Sequence, residues 1–168
     1  MRRALEAQPG LTGALVEPVP ALVAAPLAQP GLSLEHATGL DLILEGFLLH
    51  HGTPRHLDLP ESGRRVLAGD YCYAHGLVWV AEAGDLRTIE LLADLVAMSA
   101  ALVSTGARDG LAPLWRTTIA AIADADPAFE QRLRAAKDGI RLAGDLDAML
   151  ELADTLAPAP ALEAAFDA

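Results

Sequence analysis

Apolar residues recur at helical spacing along most of this chain, and no segment shows the sustained alternation that marks a strand. Hydrophobic residues make up 52% of the chain but aromatic residues only 4%, so a core must be built mainly from Ala, Leu and Val. That composition favours packed helices, because sheets are rich in β-branched and aromatic side chains. The length of 168 residues suits one domain with its own core. We therefore predict an all-α fold, a single-domain helical bundle.

Proline and glycine divide the chain into three predicted segments. Residues 1–32 are a Pro-rich N-terminal segment that holds only short helices, for example over 20–28. Residues 33–157 are the helical domain, and residues 158–168 are a frayed tail. The predicted helices of the domain cover 33–51, 61–83, 86–105, 113–123 and 127–156, the last weakened by glycines at 139 and 144.

The net charge of −11 and a pI of about 4.7 argue against binding to nucleic acid or to anionic membrane surfaces. The longest apolar stretch, 89–103, is interrupted by Glu90 and Asp94, so we expect no membrane-spanning helix. The N-terminus lacks the apolar run of a signal peptide, and the single cysteine, Cys72, cannot form an internal disulfide. These features predict a cytoplasmic protein.

The predicted helix over 61–83 contains two residues that helices usually avoid. Gly69 weakens a helix by roughly 1 kcal/mol unless close packing needs the space. Asp70, beside it and before Tyr71, is costly inside an apolar helix unless it has a partner. We favour Asp70 as a buried polar anchor that fixes helix packing, because buried acids are usually paired and structural. The alternative is that Asp70 belongs to a functional site.

Residues 67–71, LAGDY, resemble a motif of the trans-isoprenyl diphosphate synthases, or polyprenyl synthetases. In that family the motif follows a loop R-R-G-x-P, and the loop follows the first aspartate-rich motif, D-D-x-x-D. Counting back from Asp70 without a gap, residues 50–54, HHGTP, fall on the loop, and residues 41–45, DLILE, fall on the aspartate-rich motif. The resemblance implies that the helices form part of the isoprenoid synthase fold.

By this resemblance, Asp41 and Glu45 would hold Mg²⁺, since carboxylates four residues apart share a helix face and hard oxygens suit that ion. A solvated helix edge is the favoured alternative, because two carboxylates alone bind Mg²⁺ poorly.

The resemblance also implies a set of substrate-binding residues. His50 and His51 fall where the family has the arginine pair that holds the second substrate's diphosphate, and Arg55 lies just beyond them. Imidazole cannot offer a permanent bidentate fork to phosphate, so the replacement is not conservative. By the same count, His36 and Ala37 fall on positions that line the tunnel for the growing chain.

Other departures from the family pattern argue against independent catalysis. Leu42 replaces the middle aspartate, and residues 100–104, AALVS, carry no counterpart of the family's glutamate and glutamine. The acids over 145–154 lack the Phe-Gln pair that precedes the second aspartate-rich motif, and the chain has little over half the family's usual length. Ionising an allylic diphosphate needs both metal clusters, so we do not expect the chain to be active alone.

The pattern is similar to the non-catalytic small subunits, component I, of heptaprenyl and hexaprenyl diphosphate synthases. This implies a chain that docks on a catalytic subunit and influences product length, with no cofactor of its own and Mg²⁺ supplied through the partner. The predicted helix over 86–105, apolar on more than one face, is the expected dimerisation surface. The alternatives are a residual prenyl-diphosphate-binding protein or Mg²⁺-dependent prenyltransferase, and a homodimeric helical protein without prenyl chemistry.

The histidines and the cysteine give weaker signals. Four of the five histidines lie in one short region with Asp58, but their spacing repeats no zinc motif, so a zinc site is disfavoured. Cys72 has no basic neighbour arranged to activate it, and we expect an inert core thiol. The four histidines are His50, His51, His56 and His75.

Overall fold

The structure is a computed structural model that describes residues 1–17, 32–82 and 84–167. Across these ranges the chain forms helices and no strand, so the all-α prediction is confirmed. The helix predicted over 20–28 lies outside the described residues. The α-helices are α1 (Arg2–Glu6), α2 (Leu34–His51), α3 (Ser62–Glu82), α4 (Leu86–Thr105), α5 (Leu111–Ala123), α6 (Pro127–Ala143), α7 (Asp147–Asp154) and α8 (Pro160–Phe166), with 3-10 turns at Thr12–Ala14 and Arg108–Gly110.

The described helices fall into two compact units. The first contains α1, α2 and α3, and the second contains α5 to α8 together with α4 from Arg87 onward. Within the described ranges no helix combines the length and the apolar character that crossing a membrane requires, as the sequence predicts.

Local sequence signals predict most helix ends correctly. The Ser33 side chain accepts a hydrogen bond from the His36 N–H and caps α2. Pro127 begins α6, and α4 has the bounds predicted from the apolar run. The helix predicted over 127–156 is instead divided, because Gly144 adopts a left-handed conformation with φ of 67° that ends α6.

Helix α2, in the first unit, is buried along most of its length. Every residue from 37 to 49 is buried, and the stretch is apolar except for Thr38, Asp41 and Glu45, whose polar side chains therefore need partners inside the protein. Helix α3 buries only a stripe that packs on α2, and its opposite face is exposed. The buried stripe of α3 consists of Ala68, Gly69, Cys72, Gly76 and Val80.

Two glycine pairs set the distance between α2 and α3. A Cβ on Gly39 would lie 2.8 Å from the Gly76 carbonyl oxygen, and a Cβ on Gly46 would lie 3.0 Å from the Gly69 carbonyl oxygen. Since Gly39 meets Gly76 and Gly46 meets Gly69, the helices run antiparallel. At position 69 an added Cβ would instead meet the His50 ring, so the glycine that weakens α3 there makes room for a side chain of α2.

The second unit has its own core around α5. Trp115 is fully buried, and its indole N–H donates to the Ser99 hydroxyl of α4 at 3.1 Å. Its ring centroid lies 5.8 Å from that of Phe166 in α8. The aromatic pair and the hydrogen bond join three helices of this unit.

The C-terminal tail differs from the frayed segment that was predicted. Residues Pro160–Phe166 form α8, and both Leu162 and Phe166 are buried. The Arg116 guanidinium of α5 donates to Glu163 Oε1 at 3.0 Å and to three carbonyl oxygens at and after the end of α7. The prolines suggested a loose tail, but Pro160 stands in the first turn, where it favours helix formation.

Substituting Gly76→Ala should lower the free energy of unfolding by about 1–3 kcal/mol, since the new Cβ would lie 2.7 Å from the Gly39 carbonyl oxygen and overpack the contact. Chemical denaturation followed by circular dichroism measures the change. The control is Gly63→Ala on the same helix, where a Cβ meets nothing within 4 Å and alanine should stabilise by up to about 1 kcal/mol. Equal effects of the two substitutions would contradict the packing argument.

Candidate functional site

A buried carboxylate organises the loop between α2 and α3. Glu45, 1% exposed, accepts backbone N–H groups from Arg55 at 3.0 Å, His56 at 2.8 Å and Leu57 at 3.2 Å. Burial raises the pKa of Glu45, while the three N–H groups act in the opposite direction. Both carboxylate oxygens are engaged by the chain itself, so the side chain holds the loop against α2.

The favoured interpretation of Asp41 and Glu45 as a solvated helix edge is wrong. Asp41 is only 5% exposed, and its charge acts on the amino group of Met1, whose pKa is lowered by burial. Acidic residues normally lie on the solvent-exposed face of a helix, but α2 has no exposed residue between 37 and 49. Among the described residues, no three His, Cys, Asp or Glu side chains are grouped so that they could hold a metal ion.

His50 connects the end of α2 to the LAGDY motif of α3 through Asp70. Its Nε2 lies 3.2 Å from Asp70 Oδ1, and its ring stacks on Tyr73 with centroids 5.4 Å apart and an interplanar angle of 10°. The Asp70 side chain is 66% exposed, so the buried-anchor interpretation is wrong. Asp70 lies at the surface and contacts His50 from there. Tyr73, whose pKa is raised by burial, also belongs to this contact, although no sequence motif singles it out.

The candidate diphosphate-binding residues lie at an unfavourable end of α2. His50 and His51 occupy its last turn, where the helix dipole presents negative charge. The His51 ring packs beside Phe47, with centroids 5.1 Å apart. Arg55 follows in the loop with its backbone N–H on Glu45. The rings of His50 and His51 are neighbours, with centroids 5.8 Å apart, but a diphosphate beside them would meet helix carbonyl groups and the Asp70 carboxylate.

The candidate tunnel residues lie at the other end of the same helix. His36 is in the first turn of α2, and its Nε2 lies 3.4 Å from Asp85 Oδ2. Ala37 is buried. His36 and His50 are separated by about 21 Å along the helix axis, at 1.5 Å per residue. The structure therefore does not bring the substrate-binding candidates into one pocket.

The other motif residues of α3 hold the N-terminal segment. Gly69 is buried, and a Cβ there would lie 2.5 Å from His50 Nε2. The Tyr71 hydroxyl donates to the Ala4 carbonyl oxygen at 3.4 Å. Leu5 of α1 is fully buried against this unit's core, a role that an apolar residue in the short stretch before Pro9 could have suggested. The segment and α3 border a groove of about 340 Å³ lined by Gln8, Gly10, Leu11, Leu59, Arg64, Leu67, Ala68 and Tyr71.

Compared with known proteins, the chain has no significant match to a family model, to a curated protein or to a solved structure. The resemblance to polyprenyl synthetases therefore rests on the motifs of α2, the following loop and α3.

Substituting Glu45→Leu should lower the free energy of unfolding by roughly 2–4 kcal/mol, because three buried backbone N–H groups lose their acceptor. Thermal and urea unfolding measure the loss. Glu61→Leu is the control, since Glu61 is exposed at the end of the same loop and should change stability little. A small effect at position 45 would show that the loop does not depend on this carboxylate.

The stability of the protein should fall as pH drops from about 6.5 to about 4 because of His56. Burial, with the positive charge of Arg55, lowers the pKa of this imidazole from 6.5 to about 4. In that range the unfolded chain binds a proton that the folded chain cannot, at a cost of at most about 3 kcal/mol. Urea unfolding across the range should show a smaller decline for His56→Gln, and an equal decline would contradict this assignment.

Proposed function

We propose that the chain is a non-catalytic accessory subunit of a heterodimeric polyprenyl diphosphate synthase, which docks on a catalytic subunit and influences product length. The observation that carries the proposal is the engagement of Glu45. The acid in the register of the aspartate-rich motif closes the loop before α3 with both oxygens. An allylic diphosphate needs acids that are free to hold Mg²⁺.

The state of His50 supports the same proposal. Its ring is held between Asp70 and Tyr73, so the residue in the register of a diphosphate-binding arginine already has partners. The chain thus uses the positions of the motif for packing and loop closure. Under this proposal it needs no cofactor of its own, and Mg²⁺ belongs to the partner subunit. It acts in the cytoplasm, in keeping with the buried thiol of Cys72.

We place the docking surface for the catalytic subunit on α4. One stripe of this helix is buried, while Leu86 and several alanines are exposed, which lets a partner helix approach closely. The exposed alanines adjoin a groove of about 510 Å³ between α4 and α6. The groove is lined by Ala97, Met98, Ala101, Leu102, Thr105, Ala107, Ile140, Arg141 and Gly144.

Co-expression with each full-length prenyl synthase of the same genome tests the proposal. One synthase should co-purify with the chain and change its product length when the chain is present. Ala101→Arg, which fills the groove with a charge, should abolish co-purification and restore the product length of the synthase alone. Ala135→Arg, at an exposed alanine of α6 outside the groove lining, is the matched control.

Two results would overturn the proposal. The first is the absence of any co-purifying synthase together with unchanged product lengths. The second is elongation of farnesyl diphosphate by the chain alone with Mg²⁺, which would make it a prenyltransferase.

A further inference from the structure

The exposed face of α3 carries an apolar seam. Leu67 is 71% exposed and Val78 is 47% exposed, although both are large hydrophobic residues. Tyr71, Ala74 and Ala81 share the face with them at alternating spacings of four and three residues. That spacing is the pattern of a helix that packs along its length against another helix. Within the first unit the buried stripe of α3 lies on the opposite face, against α2.

The charges at the two ends of α3 oppose its own dipole. Arg64 and Arg65 stand in the first turns, where acids are favoured, and Glu82 is the last residue, where bases are favoured. Arg64 and Glu82 are both exposed. Their eighteen-residue separation is about five full turns, so they lie on the same side of the helix. An isolated helix is weakened by this arrangement, and an antiparallel helix with the same sequence would neutralise it.

We propose that α3 is the contact surface of a homodimer, in which a second copy of this chain packs its own α3 antiparallel along the seam. In a pair centred near residue 73, Leu67 faces Val78 of the second copy. Arg64 faces Glu82 of the second copy in the same register. The two-fold axis repeats both contacts, so the interface has two apolar pairs and two ion pairs.

The groove of about 340 Å³ beside α3 lies at the surface on which the second copy packs. Arg64, Leu67 and Tyr71 line it, and all three are on or beside the seam. In the stated register the second copy's Val78 covers its apolar wall. The Arg64 guanidinium donates one hydrogen bond to the Gly10 carbonyl oxygen at 3.3 Å and retains donors for the carboxylate of the second copy. This inference uses α3 alone and is independent of prenyl chemistry and of the α4 surface.

Sedimentation equilibrium on the full chain gives the first test. The chain should be a dimer, and Leu67→Glu should raise its dissociation constant by about a hundredfold or more, because an apolar contact is lost at two symmetric places. Leu142→Glu, at an 88% exposed leucine of α6, should leave the constant unchanged. A chain that stays monomeric overturns the proposal, as does a dimer that Leu67→Glu leaves intact.

Charge exchange tests the antiparallel register. Arg64→Glu and Glu82→Arg should each weaken the dimer, because each places like charges opposite each other twice. Mixing the two variants should restore it, since every substituted side chain then faces an opposite charge. A mixture that remains dissociated overturns the register.

Cross-linking provides a readout that does not depend on affinity. Ala74→Cys lies beside the two-fold axis and should form a disulfide-linked dimer on oxidation, while the native Cys72 is buried. Ala93→Cys, at an exposed alanine of α4, is the matched control and should not cross-link. Equal cross-linking of the two variants overturns the proposal.

Discussion

The close approach of α2 and α3 is the constraint on which the first unit depends. Gly39, Gly46 and Gly76 let the two backbones approach closely, because a Cβ on any of them would crowd a carbonyl oxygen of the other helix. This contact buries one face of α2 and leaves one face of α3 exposed. It also brings the end of α2 beside the α3 motif, where the His50 ring fills the space next to Gly69. The LAGDY motif of residues 67–71, on which the family resemblance is based, thus has a packing role in this chain.

Burial of α2 changes what its acids can do. A carboxylate in an apolar interior must find hydrogen-bond donors, and Glu45 finds them in the backbone of the loop that follows its own helix. The Glu45 oxygens therefore stabilise the loop and are already hydrogen-bonded. Our proposal of a non-catalytic subunit rests on this observation, because metal-assisted ionisation needs carboxylates with free oxygens.

Two apparent violations of helix rules in α3 have different explanations. Gly69 is required by the contact with α2, whereas Asp70 points to the surface and holds His50. Arg64 and Glu82 oppose the helix dipole, and nothing within α3 offsets them. Local conflicts in a folded chain are usually resolved by a contact elsewhere. For Gly69 that contact lies within the unit, and for the end charges we assign it to a second copy.

The sequence by itself determined the helical class and most helix ends. Ser33, Pro127 and the apolar run of α4 act through hydrogen bonds and spacing within a few residues, so they can be identified without the fold. Only the tertiary structure decided that Glu45 is buried and Asp70 exposed. Burial depends on which helices pack against a face, and that is set by contacts between residues far apart in the chain.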